Sequence, residues 1–336
     1  MDNPVLIEAL RGALVESRHR GAVAVVDANG GRVLALGDVE QPIYPRSAIK
    51  ALQALVLVEA GGVERFGLRD EELALACASH GGEPDHVAGV ASVLARAGLD
   101  QGSLMCGTHW PLHRPAALAL ARSGGAATAL HNNCSGKHAG FLCAACAMGF
   151  EPATYVDAQH PVQQAVKSVL EQLGGAAISD KHIGIDGCSV PTFAMSLDRL
   201  ALAFARFGTG RGLAPARAAA ARRLRTACAA YPWHIAGTGR FCTEVMTSLR
   251  ERVFVKTGAE GVLCAALPEQ GLGLALKIDD GARRAAEAAM AALLARFLPR
   301  GDESRAELER FARPVLRNWH RTAIGALQPA KALMDA

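Results

Sequence analysis

Residues with strand periodicity lie near both ends of this 336-residue chain, and the long interval between them is helical in pattern. Residues 21–38, GAVAVVDANGGRVLALGD, alternate apolar side chains on either side of Asn29-Gly30-Gly31, which predicts a hairpin. Residues 252–281 alternate again and turn at Pro268–Gly271. Between them run helical stretches: AIKALQALVLVEAGG from Ala48, a pair broken at Gly81-Gly82, then residues 113–125, 135–150, 161–175, 191–208 and 214–232. An Ala-rich helix follows the late strands, and the final RPVLRNWHRTAIGALQP suits an edge strand or a tail. The economical solution is an α+β fold with one antiparallel sheet built from N- and C-terminal strands, covered by helices. Residues 1–46 and 250–336 form a sheet lobe on this reading, and residues 47–249 a mainly helical lobe inserted into it. A cleft between sheet and lobe is the natural place for a site.

Composition narrows the function classes. Half the residues are hydrophobic, enough for a large core. The formal net charge is only +4, arginines are scattered and aromatics are few, which argues against a nucleic-acid groove. No apolar run reaches the length of a membrane span, and the N-terminus does not read as a secretory signal. A cytoplasmic protein with no membrane partner is expected. The nine cysteines are then expected to be reduced, and most to be small buried hydrophobes.

The segment PRSAIK places Ser47 three residues before Lys50, on one face of a helix start. A neutral lysine there could take the hydroxyl proton and activate the serine. A capping serine beside a solvated lysine would give the same spacing. The late VKTG brings Lys256, a second cation expected to depress the Lys50 pKa. An early Ser-x-x-Lys helix with a late Lys-Thr-Gly strand is the arrangement of serine β-lactamases and penicillin-binding proteins. Ser79, in CASHGG, stands where the middle serine of that arrangement would fall, although His80 and Gly81 follow it.

The densest polar segment, HNNCSGKHAGF, puts Cys134, Lys137 and His138 on one face of a helix start, and DGCSVP adds Cys188. Two thiolates and a nitrogen suit zinc, with His138 the donor that residue type favours. Free buried thiols are the other reading. Cys143 and Cys146 read as core packing, and Cys77, Cys106, Cys228, Cys242 and Cys264 as structural. His86, His109 and His113 read as surface or loop residues. The AGTGRF segment resembles a phosphate loop only superficially, and Glu244 beyond it is a candidate cleft residue.

Together, PRSAIK, CASHGGEPDH, HNNCSGKHAGF, DGCSVPTF, AGTGRF and VKTGAEGV resemble the signature segments of the rhizobial-type, class 3 L-asparaginases, the asparaginase II family. The resemblance implies a serine β-lactamase-like fold. It implies two Ser-Lys pairs, Ser47 with Lys50 and Ser79 with Lys256. It makes Cys134, Lys137 and Cys188 the zinc ligands, overriding His138, and gives Arg46, His138 and Asp186 to the substrate pocket. The implied reaction is hydrolysis of L-asparagine to L-aspartate and ammonia through an acyl-enzyme, in a homodimer. Ser47 would attack with Lys50 as base, Ser79 and Lys256 would shuttle protons, and the converse choice of Ser79 as nucleophile stays open. The rival readings are a β-lactamase-like esterase or peptidase and a non-enzymatic zinc- or amino-acid-binding sensor.

Overall fold

A computed structural model describes residues 3–299 and 301–335. The chain opens with β1 (Val5–Arg11), β2 (Leu14–Asp27) and β3 (Arg32–Leu36), followed by the short β4 (Pro42–Ile43). Mid-chain come β5 (Ile183–Ile185), β6 (Pro191–Phe193) and β7 (Met195–Ser196). The last are β8 (Phe254–Thr257), β9 (Val262–Leu267), β10 (Leu272–Ile278), β11 (Val315–Arg317) and β12 (Ala323–Pro329). The main sheet runs β11-β12-β1-β2-β10-β9-β8, with β3 also on β2, and every pairing is antiparallel. The expected α+β architecture, with a sheet assembled from both ends of the chain, is the one observed.

The long strand β2 explains the joint. Its first half, LVESRHR, alternates in polarity and pairs with β1, leaving one face wet. Its second half, GAVAVV, is continuously apolar, buried, and pairs with β3 and β10. The predicted hairpin turn forms because Asp27 Oδ1 accepts from the backbone N–H groups of Asn29 (2.8 Å) and Gly31 (2.9 Å). Helix Leu197–Thr209 packs on β2, β9 and β10, while helix Arg283–Phe297 covers β1, β9, β10 and β12. Glycine is required at position 273, where a Cβ would lie 1.9 Å from the Ala201 carbonyl oxygen of the covering helix.

One expectation fails locally. Residues 191–196 are not helical: β6 pairs with β5, and β7 pairs with β4. The helix begins only at Leu197, capped by Ser196 Oγ accepting from Arg199 N at 3.4 Å. PTFAM has no helical period of its own; β6 closes a short hairpin on β5, whereas the partner of β7, β4, lies about 150 residues earlier. Among the described residues, no helix is long and apolar enough to cross a membrane.

Candidate active site

Pro45 leads into a single 3₁₀ turn, Arg46–Ile49, and then helix Lys50–Gln53. Arg46 adopts φ +52°, a left-handed conformation unusual for a residue with a Cβ. Its guanidinium Nε donates to Asp186 Oδ1 at 2.7 Å, tying the turn to the β5–β6 loop. Burial acts to raise the Asp186 pKa, but Lys137 and Arg46 outweigh it and hold the carboxyl below its ordinary range. The end of β8 abuts the same turn: a Cβ on Gly258 would lie 2.6 Å from the Pro45 carbonyl oxygen. This accounts for the glycine of Lys256-Thr257-Gly258.

Lys50 is wholly buried, and its Nζ donates to the carbonyls of Ala78 (2.6 Å) and Asn133 (3.2 Å). These residues directly precede Ser79 and Cys134. The amine therefore pins the two candidate catalytic segments together, because in a dry interior backbone dipoles must replace its water. None of its hydrogen bonds goes to Ser47, whose hydroxyl is half-buried and has no hydrogen-bond partner among the described residues. The serine–lysine contact that does form joins Lys256 Nζ to Ser79 Oγ, at 2.9 Å. Lys256 is buried and also donates to Thr257 O at 3.0 Å. Burial, helped by the neighbouring Lys50 charge, lowers its pKa from 10.5 to about 7. Lys50 is thus the neighbouring cation that acts on Lys256.

Ser79 follows helix Asp70–Ala76, and its N–H donates to Ile235 O at 2.9 Å. The next residue, His80, accepts from Gly82 N through Nδ1 (3.1 Å), which leaves the ring proton on Nε2. That proton is donated to Ser135 Oγ at 2.9 Å, and Ser135 donates onward to Leu130 O. Burial drives the His80 pKa well below its ordinary value, consistent with this neutral tautomer. His86 is not a surface residue: it is buried and stacks between His80 (4.9 Å) and Trp233 (3.9 Å).

Cys134 caps helix Ser135–Met148, and Cys188 lies in the β5–β6 turn, where Ser189 has φ +76°. The Lys137 ammonium donates to Cys188 Sγ at 2.9 Å. The two sulfurs share a hydrogen bond, which lowers the Cys134 pKa and raises that of Cys188, so the pair is built to carry a thiolate. Burial alone would discharge Lys137, but both sulfurs outweigh it and raise its pKa. Among the described residues no three His, Cys, Asp or Glu side chains form a metal-sized group. With lysine admitted as the third donor, this buried cluster has the two sulfurs and one nitrogen that zinc takes. His138 bonds a different partner. Its Nδ1 lies 2.6 Å from Tyr155 Oη, which itself accepts from Met105 N. Tyr155 is therefore the donor to Nδ1, and the buried Nε2 has no hydrogen-bond partner among the described residues. An orphaned N–H beside Lys50 and Lys137 suits a ligand oxygen.

Residues the sequence reading passed over include Tyr155, Ser135 and Glu83. Each acts across a long sequence separation that no local pattern reveals. Glu244 is exposed on helix Phe241–Leu249. Cys77, Cys106, Cys143, Cys228, Cys242 and Cys264 are buried and free, while Cys146 is half-buried.

The α+β scaffold thus carries two centres, serine–lysine and thiol–lysine, on segments that Lys50 pins together. The L-asparaginase II family model matches residues 7–329, and the chain belongs to this family of asparaginase-type hydrolases. No curated protein matches the chain in sequence. Among solved structures it is similar to Mglu in its tris and glutamate form, with 15% identity over 90% of this chain and 65% of that one, at TM-score 0.47. The native form of Mglu gives 15% identity over 90% and 71%, at TM-score 0.45. A β-lactamase from Mycobacterium bovis gives 14% identity over 79% and 89%, at TM-score 0.37. The chain thus spans less than two thirds of the first of these.

Proposed function

We propose that this chain hydrolyses L-asparagine to L-aspartate and ammonia, with Ser79 and Lys256 as the working pair. The observation that carries the reading is the buried 2.9 Å contact between Ser79 Oγ and a lysine whose pKa lies at about 7. A base poised near neutrality is the condition for general-base activation of a hydroxyl. Ser79 Oγ attacks the side-chain amide carbon as its proton passes to Lys256. Lys256 then returns that proton to the departing nitrogen, ammonia leaves, and a β-aspartyl ester remains on Ser79. Water, deprotonated by Lys256, cleaves the ester and restores the serine. Arg46 and Asp186 offer a cation and an anion for the α-carboxylate and α-ammonium of the substrate, and the His138 Nε2 proton is a donor for an amide or carboxylate oxygen.

Cys134, Lys137 and Cys188 would hold zinc, with Lys137 giving up its proton to serve as a ligand. Zinc held there would supply a Lewis acid for polarising a carbonyl. Assembly as a homodimer is proposed on family grounds and is checked by sedimentation.

A second reading makes Ser47 the nucleophile, with Ser79 and Lys256 as its proton shuttle. Its support is the half-buried, uncommitted Ser47 hydroxyl three residues before Lys50. Trapping of acyl-enzyme with Ser47→Ala and Ser79→Ala separates the two: the variant that fails to acylate has lost the nucleophile. If both acylate normally, the serine mechanism is wrong. Ammonia release from asparagine, glutamine and a β-lactam, with zinc analysis of the same sample, tests the substrate class against an esterase, a peptidase or a sensor.

A further inference from the structure

The AGTG segment, set aside as a phosphate loop, is bound at Thr238 by both oxygens of one carboxylate, with Trp233 Nε1 also donating to Thr238 Oγ1 at 3.0 Å. Glu83 is 7% exposed. Its Oε1 accepts from Thr238 N at 2.9 Å, and its Oε2 accepts from Thr238 Oγ1 at 2.7 Å. The preceding Gly237 sits at φ +102°, ψ −172°, a conformation open essentially to glycine alone. A Cβ there would lie 2.4 Å from Glu83 Oε1. The Gly237 carbonyl is fixed in turn by Thr243 Oγ1 at 2.7 Å.

This loop adjoins the serine. Two residues before Gly237, the Ile235 carbonyl accepts the Ser79 N–H at 2.9 Å. On the other side, His113 N donates to Gly81 O at 2.9 Å, and His113 Nδ1 lies 3.3 Å from Glu83 Oε2 without hydrogen-bond geometry. Residues 79–83, 111–113 and 235–239 therefore meet around one buried carboxylate, which touches neither the Ser79 hydroxyl nor the Lys256 amine.

We infer that Glu83 is a positioning residue, clamping the Gly237–Thr238 turn so that Ser79 Oγ is held at Lys256 Nζ. The inference rests on the Ser79–Lys256 reading above. A displaced loop shifts Ser79 relative to its base while leaving Arg46, His138 and Asp186, on other segments, in place. The loss therefore falls on kcat rather than on KM.

The test uses the full chain, with Glu83→Ala, Glu83→Gln and Thr238→Val. Two readouts are taken: asparagine turnover, and the rate at which p-nitrophenyl acetate acylates the active serine with release of p-nitrophenol. Glu83→Ala is expected to lower both kcat and the acylation rate by about 10- to 100-fold, with KM changed by less than about threefold. Glu83→Gln keeps an oxygen for Thr238 N and is expected to recover most of that loss. Thr238→Val keeps the N–H bond alone and falls between them. Should Glu83→Ala fail to fold by circular dichroism, the ordering of Glu83→Gln and Thr238→Val against wild type still decides. Unchanged acylation in a folded Glu83→Ala with a lowered melting temperature, or equal losses in Ala and Gln, overturns the clamp. Wild-type protein that acylates but leaves asparagine intact sinks the functional reading instead, and the acylation series then tests the clamp alone.

Discussion

Arg46 and Asp186 face one another, Nε to Oδ1, across 2.7 Å, joining a strained turn near the N-terminus to a hairpin loop 140 residues later. The two charges expected to grip opposite ends of an amino acid grip each other. A zwitterionic substrate can exchange with this pair at little electrostatic cost, because each charge finds a new partner as it leaves the old one. Arg46→Ala and Asp186→Asn should each raise KM for asparagine. Their double-mutant cycle should show a coupling of about 1 kcal/mol in kcat/KM, since the residues touch. Strict additivity would mean that the pair does not act as a unit.

The Lys256 amine must be uncharged to accept a proton from Ser79. With its pKa at about 7, the acylation rate should climb as pH rises through that value and then level off. Lys256→Arg, which holds its charge throughout, should abolish the climb and lower the rate by about 100-fold or more. Stability carries the same signature. Between about 7 and the ordinary lysine value of 10.5, the unfolded chain binds a proton that the folded chain does not, so stability should increase with pH across that window. Denaturant titrations of wild type and Lys256→Met at several pH values would show whether that slope belongs to Lys256.

Cys134 and Cys188 come from separate segments, and the proposed zinc needs both. Wild-type protein prepared with zinc should contain about one metal per chain, and Cys134→Ser or Cys188→Ser should bring this near zero by elemental analysis. Thiol titration gives an independent readout: chelation of wild type should expose one additional fast-reacting thiol, Cys134, whose pKa is lowered, and one slower thiol, Cys188, whose pKa is raised. Full metal occupancy in Cys188→Ser would remove that residue from the ligand set.

Position 273 tests the scaffold rather than the chemistry. Any side chain there must push helix Leu197–Thr209 off β10, since the Cβ would meet backbone atoms of Ala201 and Ala205 at 1.9 and 2.3 Å. Gly273→Ala should cost about 3 kcal/mol in urea unfolding. A change within experimental error would show that the helix can shift without loss.

Much of this was visible in the residues themselves. The hairpin at residues 21–38 declares itself through alternation and Asn29-Gly30-Gly31, and the late strands do likewise. Helices with a clear apolar period, such as Pro161–Gly174, were equally legible. The stretch 191–196 was not, because strands of two or three residues exist only by pairing with segments at positions 42–43 and 183–185. The site divides in the same way. Residue types and spacing brought out Ser79, Lys256, Cys134 and Cys188 as candidates with His138 as the nitrogen donor, and only the family resemblance put Lys137 in that place. Spacing also suggested that Lys50 would turn to Ser47, whereas its amine serves two carbonyls contributed by remote loops. His86 looked like a surface residue because the ring it rests on, Trp233, lies almost 150 positions further along.

The sheet's wiring has a consequence for biosynthesis. β1 pairs with residues 327–329 and β2 with residues 272–278, so the earliest strands wait for almost the last ones to leave the ribosome. Throughout that delay the apolar GAVAVV segment has only β3 beside it and presents an open, sticky edge. Nascent chains stalled before residue 272 should be chaperone clients, whatever the stability of the finished protein.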